Sequence, residues 1–291
     1  MATREWLKDV VDIHVHAYPE IGLRVRNAAF DDEWLAEAQA AGMRAVCLKS
    51  HYWPTADKAF TLGRMFPGTN VFGSLVLNST VGGLNPLAVK VAIACGARMV
   101  WFPTFSAAND VERKGYSGRV AATHGPLPPT SISVLQGDGK LCPEALEILE
   151  LIAEADIAVA TGHLSLAESK VLTRAARERG VKRIVLTHAL SAMVGASVED
   201  QVALADAGAF IEHSFVACMP MHQQLSPRTI AGAIRAVGAE RCVISTDAVF
   251  SWNPSPPTMM TMFMESLAEL GMSEREIHLM ARSNPAYIMG L

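Results

Sequence analysis

The chain of 291 residues carries a net charge of −4, with 50% hydrophobic and only 19% charged residues. This composition is typical of a folded protein with a large buried core, and it excludes an intrinsically disordered chain. Because the sequence has no dense Lys/Arg run, it also lacks the electrostatic footprint of a protein that binds nucleic acid or an anionic membrane.

The cysteines and the mean hydropathy of the chain predict its cellular location and its oligomeric state. The five cysteines are scattered and form no Cys-x-x-Cys pair, as expected of reduced side chains in the cytoplasm. No apolar run is long enough to cross a bilayer and the N-terminus lacks a secretory pattern, so we expect a cytoplasmic protein. The mean hydropathy of +0.22 is high, and we expect a homo-oligomer that buries apolar surface between subunits.

Eight short apolar runs, most of them roughly 26 to 33 residues apart, follow one another along the chain. They are rich in Val, Ile and Ala and do not alternate with polar residues, which indicates strands buried on both faces of a parallel sheet. We predict strands at residues 10–16, 45–49, 71–77, 98–102, 157–161, 183–187, 209–213 and 242–246.

The segments between these strands carry helix signals. Acidic residues open an amphipathic stretch at 31–42, Pro143 opens another at 143–151, and a Ser-x-x-Glu capping box opens a third at 165–180. Eight strand-then-helix units predict an α/β fold, a (β/α)8 TIM barrel that forms a single domain over residues 1–291. A doubly wound open sheet is the alternative, disfavoured because no Gly-x-Gly-x-x-Gly follows the first strand.

The interval between the fourth and fifth predicted strands is about twice as long as the others, and the surplus lies between Pro103 and Leu141. This segment is rich in Pro, Gly and Ser, and it carries several basic side chains. A long loop after strand 4 lies on the catalytic face of a barrel, so we expect an active-site lid rather than a linker.

Barrel active sites form at the C-terminal ends of the strands, so the polar residues at those ends are the candidate site. The first strand ends in His14 and His16, and the period of two in a strand puts both imidazoles on one face. The other candidates are Lys49 and His51 on strand 2, His163 after strand 5, His188 after strand 6 and Asp247 after strand 8. Imidazoles and a carboxylate around one barrel mouth indicate a divalent-metal site.

Two further strand ends are ambiguous. Strand 7 ends in Glu212 and His213, of which only one can face inward, and Asn78 follows strand 3. The sequence does not decide whether any of these three belongs to the site.

The pattern of residues at the strand ends resembles that of the amidohydrolase superfamily of metal-dependent hydrolases. The matching features are the His-Val-His at 14–16, then His163, His188 and Asp247, and a C-terminal segment at 283–291 that looks like the closing helix of that superfamily. The resemblance extends from residue 10 to the end of the chain. It implies a divalent metal cofactor, zinc foremost with manganese as an alternative, and a small-molecule substrate that it does not identify.

The resemblance implies two possible ligand sets. In a one-ion site, His14, His16, His163 and Asp247 bind the metal, whereas in a two-ion site His163 and His188 hold the second ion. Two-ion sites of the superfamily usually have a bridging Glu or carboxylated Lys at the end of strand 4. Here that strand reads Met-Val-Trp-Phe-Pro-Thr and has no such ligand.

Lys49 is the candidate replacement, and three interpretations stay open. A carbamate on Lys49 would bridge two ions, a cationic Lys49 would bind a substrate carboxylate, and an exposed Lys49 would be a solvated strand-end residue. We favour two ions, because five histidine and aspartate ligands with an inward lysine suit two ions better than one.

Roles for the remaining candidates follow from charge. Asp247 is the predicted catalytic base, and His188, where it is not a ligand, would polarise the substrate carbonyl or stabilise the oxyanion. Because arginine suits carboxylate recognition, we expect a small anionic substrate. The predicted substrate-binding residues are His51, Arg24, Arg26 and Arg113.

These residues give three functional hypotheses. The first is a metal-dependent hydrolase that cleaves an amide, lactone or related C–N or C–O bond with a metal-activated water. The alternative, implied by another branch of the superfamily, is a non-oxidative decarboxylase of an aromatic or unsaturated acid on the same scaffold. The third is a barrel that binds a metal or ligand without catalysis.

Overall fold

Eight parallel strands form a barrel in which the spatial order of the strands follows the chain. The structure, a computed structural model, describes residues 5–20, 29–113, 130–220 and 222–291. The strands are β1 (Val11–His16), β2 (Ala45–Lys49), β3 (Asn70–Val76), β4 (Ala97–Trp101), β5 (Ala158–Ala160), β6 (Arg183–Leu186), β7 (Ala209–Ser214) and β8 (Cys242–Ser245). The TIM barrel predicted from the sequence is confirmed, and every predicted strand boundary lies within one residue of the observed one.

The barrel closes between β8 and β1 at its carboxyl end. The N–H of Asp247 donates to the carbonyl of His14 at 2.8 Å, and the N–H of His16 donates to the carbonyl of Ala248 at 3.2 Å. A parallel bridge joins Val15 to Ala248. The closure therefore brings the last predicted site residue directly beside the first two.

An irregularity in β1 lies around His14. Asp12 pairs with Val46 and Val15 pairs with Leu48, so β1 advances three residues where β2 advances two. An extra residue of this kind is a β-bulge, which bends the strand locally and changes the direction of its side chains. The bulge lies at the point where the strand begins to carry site residues.

Helices surround the barrel and lie at its two ends. In the described parts of the chain they are α1 (Asp31–Ala40), α2 (Ala56–Met65), α3 (Pro86–Ala94), α4 (Ala108–Glu112), α5 (Pro143–Glu154), α6 (Leu166–Glu178), α7 (Val198–Asp206), α8 (Pro227–Val237), α9 (Pro256–Glu269), α10 (Glu274–His278) and α11 (Asn284–Met289). The three predicted helices are present as α1, α5 and α6, and α5 extends beyond its predicted end at Leu151. None of the described helices has both the length and the apolar character needed to cross a membrane.

The predicted capping box at the start of α6 is confirmed. The Ser165 hydroxyl accepts from the N–H of Glu168 at 3.2 Å, and the Glu168 carboxylate accepts from the N–H of Ser165 at 2.9 Å. These two bonds satisfy backbone donors that the first turn of a helix leaves unpaired. They fix the start of α6 just after His163.

Two apolar layers stabilise the barrel. The inner layer consists of strand side chains such as Met99 and Phe210, closed at the amino end of the barrel by Ile288 of α11. The outer layer lies between the strands and the helices and includes Trp34 and Phe263. Because both layers are apolar, the polar groups inside the barrel are confined to its carboxyl end.

Candidate metal centre

The predicted strand-end residues converge on one cavity at the carboxyl end of the barrel. Its polar lining consists of His16, Lys49, His51, His163, His188 and Asp247, beside Phe105, Met193, His222, Val249 and Phe250. The six predicted side chains come from five strand ends and are each at most 6% exposed. Such a concentration of buried titratable groups is typical of a functional site.

His14, His16 and Asp247 form the tightest group. The Nε2 atoms of His14 and His16 each lie 2.9 Å from Oδ1 of Asp247. Burial raises the pKa of Asp247, but His14, His188 and hydrogen bonds from the imidazoles lower it more, to well below its usual range. The three side chains have donor atoms within 4.8 Å of one another and match a cation-binding group.

Glu212 is the residue of β7 that faces inward. Its Oε1 lies 2.8 Å from Nδ1 of His14 and accepts from the Ser245 hydroxyl at 2.7 Å. Burial raises the pKa of Glu212, but His14, His188 and the Ser245 hydroxyl together more than offset this, and the pKa falls to about 2. His213 points the other way and is also buried. The contact with His14 thus assigns Glu212, not His213, to the site.

His14 therefore lies between two carboxylates. Burial alone would lower the pKa of His14, but Asp247 and Glu212 together outweigh burial and Lys49, so the pKa is raised. Without a cation, a proton on His14 compensates for the negative charge around it.

Glu20 is a site residue that the sequence did not predict. It is fully buried in the segment after β1, and its Oε1 lies 3.5 Å from Nδ1 of His16 and 3.9 Å from Nε2 of His51. Both carboxylate oxygens accept from the N–H of His51, at 3.1 and 3.2 Å. In the sequence, the one feature that points to Glu20 is its position four residues after His16.

The Nδ1 atom and the ring face of His51 contact neutral groups. Its Nδ1 lies 2.8 Å from the hydroxyl of Thr104, and its ring stacks on Phe105 with centroids 3.8 Å apart. Asn78 donates to both the carbonyl of His51 and the Thr104 hydroxyl, at 3.0 and 2.7 Å. Asn78 therefore braces the neighbouring loops rather than facing the cavity.

His163 has a buried acidic neighbour, Asp110 of α4, that the sequence also did not predict. Nδ1 of His163 lies 3.3 Å from Oδ1 of Asp110, which is fully buried. Gly162 before it has φ +64°, and a Cβ there would collide with the carbonyl oxygens of Phe102 and Pro103. Only glycine permits this close turn, which aims His163 into the cavity.

His188 and Asp247 both adopt φ +50°, a left-handed conformation that non-glycine residues rarely adopt. Nδ1 of His188 lies 3.2 Å from the Ser214 hydroxyl, and its Nε2 lies 3.7 Å from Oδ2 of Asp247. Burial lowers the pKa of His188 well below its usual value, so the imidazole is neutral at pH 7. Backbone strain at two of the strand ends that line the cavity is typical of functional sites.

Lys49 is fully buried, which contradicts its interpretation as a solvated strand-end lysine. Its Nζ lies 2.9 Å from Nε2 of His14 and 4.6 Å from the centre of the Trp101 ring. Burial lowers the pKa of Lys49, against the opposing effect of Asp247 and the two nearby glutamates. Trp101, at the end of β4, lies where the superfamily resemblance placed a bridging ligand.

Of the three predicted substrate-binding arginines, the structure describes only Arg113. Arg24 and Arg26 lie outside the described residues, as do the basic residues of the predicted lid between 114 and 129. Arg113 is exposed and donates to the carbonyl of Ala192 at 3.0 Å. Substrate binding by these residues stays a prediction.

Solved structures with the same fold include enzymes with different chemistries. An amidohydrolase from Pseudomonas aeruginosa aligns with a TM-score of 0.66 and 13% identity, covering 98% of this chain and 96% of its own. 2,6-Dihydroxybenzoate decarboxylase from Rhizobium aligns with a TM-score of 0.59 and 14% identity over 97% and 99% of the two chains. N-acetyl-D-glucosamine-6-phosphate deacetylase from Mycobacterium smegmatis aligns with a TM-score of 0.56 and 17% identity over 97% and 76%.

The amidohydrolase fold implied by the sequence resemblance is thus confirmed. No curated protein matches the sequence. A family model, described as a family of unknown function, matches residues 9–212, which is more than half of the chain. The protein therefore belongs to the DUF6282 family.

Proposed function

We propose that the protein is a metal-dependent hydrolase that cleaves an amide, lactone or related C–N or C–O bond of a small anionic molecule. The observation that carries this proposal is an imbalance of buried charge. Four carboxylates surround the cavity against one lysine, Lys49, and each is at most 6% exposed: Glu20, Asp110, Glu212 and Asp247. Burying unpaired carboxylates is costly, so the site favours a bound cation.

Asp110 provides the sharpest sign of this imbalance. Neither of its buried oxygens has a hydrogen-bond partner among the described residues. A fifth buried carboxyl group, Asp12, adds less negative charge to this imbalance, because its pKa is raised. Burial raises the pKa of Asp12 to about 7, against the effect of hydrogen bonds from Thr246.

The ligand atoms suit zinc, with manganese as the alternative. His14, His16 and Asp247 would hold the ion, with His163 as the fourth ligand. Three imidazole nitrogens and one carboxylate oxygen form a donor set that Zn²⁺ accepts readily. A divalent ion supplies Lewis acidity and lowers the pKa of a bound water towards neutrality.

We propose one ion rather than two. The indole of Trp101 lies at the end of β4 against His14, with ring centroids 4.5 Å apart. An apolar ring there leaves no bridging ligand from β4, and a cationic Lys49 so close to His14 would repel a second ion. A carbamate on Lys49 is the arrangement that would reverse this preference.

The residues of the chain have separate roles in this reaction. Asp247 is ionised at neutral pH and takes the proton of the attacking water, then returns it to the leaving group. Neutral His188 lines the same cavity, where its Nε2 donates to or accepts from the substrate. The cavity between these side chains has a volume of about 20 Å³, which is room for about one water molecule. The homo-oligomeric state and the cytoplasmic location stay predictions.

Metal analysis of the purified protein tests this proposal. We expect about one equivalent of zinc or manganese, lost on dialysis against a chelator and regained when the ion returns. A well-folded protein that holds no stoichiometric metal and takes none up would refute it.

Decarboxylation is the second candidate, favoured specifically by Trp101, because a single ion without a bridging ligand suits an enzyme that needs no shared hydroxide. The fold is also that of a 2,6-dihydroxybenzoate decarboxylase. Panels of lactones, amides and aromatic acids would separate the two reactions. Release of CO2 without net addition of water would establish the decarboxylase and exclude the hydrolase.

A further inference from the structure

Five imidazoles at the mouth of the barrel differ in the group that faces Nδ1. Carboxylates face three of them: Glu212 at 2.8 Å from His14, Asp110 at 3.3 Å from His163, and Glu20 at 3.5 Å from His16. Hydroxyl groups face the other two: Thr104 at 2.8 Å from His51 and Ser214 at 3.2 Å from His188.

This difference has a chemical consequence for metal binding. A carboxylate behind Nδ1 keeps the proton on that nitrogen, so that Nε2 presents its lone pair, and it makes the imidazole a stronger ligand. A hydroxyl group can donate or accept, so it fixes neither the tautomer nor the charge. The first kind of partner suits a metal ligand, and the second suits an imidazole that exchanges a proton.

We infer that Glu212, Asp110 and Glu20 are positioning residues, which hold His14, His163 and His16 with Nε2 towards one shared ion. The inference rests on the proposed function and extends it. His51 and His188, which lack a carboxylate behind Nδ1, stay outside the ligand set and face the substrate.

Each carboxylate is placed for this role by a different part of the fold. Glu212 is fixed on β7 by the Ser245 hydroxyl and by the N–H of His188, at 2.7 and 3.3 Å. Glu20 is fixed by the N–H of His51. Asp110 sits on α4, and in the described structure the His163 ring is its one ionic neighbour.

Asp110 is the strongest case for a positioning role. Among the described residues, the fully buried carboxylate of Asp110 completes no hydrogen bond and has the His163 ring as its one ionic neighbour, so its burial costs desolvation energy. The cost is offset when His163 carries positive charge through a bound cation. A metal-bound His163 would therefore account for the burial of Asp110.

Metal affinity, measured by competition with a chromophoric chelator, tests the inference without a substrate. We expect Glu212→Gln and Asp110→Asn each to weaken Zn²⁺ binding by about 10- to 100-fold. Glu212→Ala should weaken Zn²⁺ binding further, because it also removes the oxygen that accepts from His14. Thr104→Val removes the hydroxyl behind His51 and should leave the affinity unchanged.

Glu168→Gln is the matched control for loss of a buried carboxylate. Glu168 is 6% exposed and bonds the cap of α6 and the Ser133 hydroxyl, so this change should lower stability in urea without altering Zn²⁺ affinity. Binding of Zn²⁺ by Glu212→Gln and Asp110→Asn as tightly as by the wild type would overturn the inference while leaving the proposed function intact.

Counting the bound ions gives an independent outcome. If wild type holds two equivalents and Glu20→Gln holds one, Glu20 is a ligand of a second ion with His16 and His51, and the inference is wrong. If wild type binds no ion, the proposed function itself fails. One equivalent in all variants, with the expected loss of affinity, supports both.

Discussion

The mouth of the barrel and the layer between strands and helices are equally buried but hold opposite kinds of side chain. In the outer layer, Phe263 of α9 stacks on Phe215 with ring centroids 5.0 Å apart, among other apolar groups. In the mouth, imidazoles and carboxylates lie within hydrogen-bond distance of one another. Burial alone therefore does not indicate function, whereas convergent buried charge does.

The same strand supplies both environments. Glu212 of β7 faces the mouth and contacts His14 at 2.8 Å, while the next residue, His213, faces the outer layer. Neither ring nitrogen of His213 has a hydrogen-bond partner among the residues that the structure describes. The mouth thus places opposite charges beside one another, whereas the outer layer keeps the imidazole of β7 neutral.

The largest effect is expected from Asp247→Asn in the mouth. The amide keeps the shape of the side chain but removes the base and the negative charge shared by His14 and His16. We expect turnover to fall by at least about 10³-fold and metal affinity to fall with it, while the far-ultraviolet circular dichroism stays unchanged. Retained activity at full metal content would remove Asp247 from the role of base.

A smaller effect, confined to stability, is expected from Phe263→Ala in the outer layer. Phe263 is fully buried, and its truncation leaves a cavity that should lower the free energy of unfolding by about 3–5 kcal/mol. Urea unfolding measures this loss, and chelator competition should show an unchanged Zn²⁺ affinity. A parallel loss of affinity would show that the two layers are not independent.

The sequence predicted the fold almost completely because parallel strands buried on both faces leave an unambiguous pattern. Apolar runs at regular intervals determine the eight strands, and barrel geometry then requires that their carboxyl ends meet. His14, His16, His163, His188 and Asp247 could therefore be placed together without any knowledge of their contacts.

The residues behind the imidazoles could not be predicted in the same way. Glu20 and Asp110 lie beyond the strand ends, where side-chain direction depends on tertiary contacts rather than on a period of two or 3.6 residues. Asp110 also lies within the segment assigned to a lid, on a helix of only five residues. The alternation of β7 reduced the choice to Glu212 or His213, but the apolar pattern did not decide between them.

The last prediction concerns His213 in the outer layer and its effect on how the free energy of unfolding depends on pH. Burial lowers the pKa of His213 from 6.5 to about 4, with a smaller opposing effect of Glu212. Between these values the unfolded chain binds more protons than the folded one, so this contribution to stability is complete above pH 6.5 and is lost as the pH falls towards 4.

In chelator-treated protein, the free energy of unfolding of the wild type should fall between pH 7 and pH 5 by about 2 kcal/mol more than that of His213→Leu. At pH 7 the variant should be at least as stable as the wild type, since it removes two unpaired polar atoms. Equal pH dependence of the two proteins would show that His213 has a polar partner and that the outer layer is less apolar than its described side chains indicate.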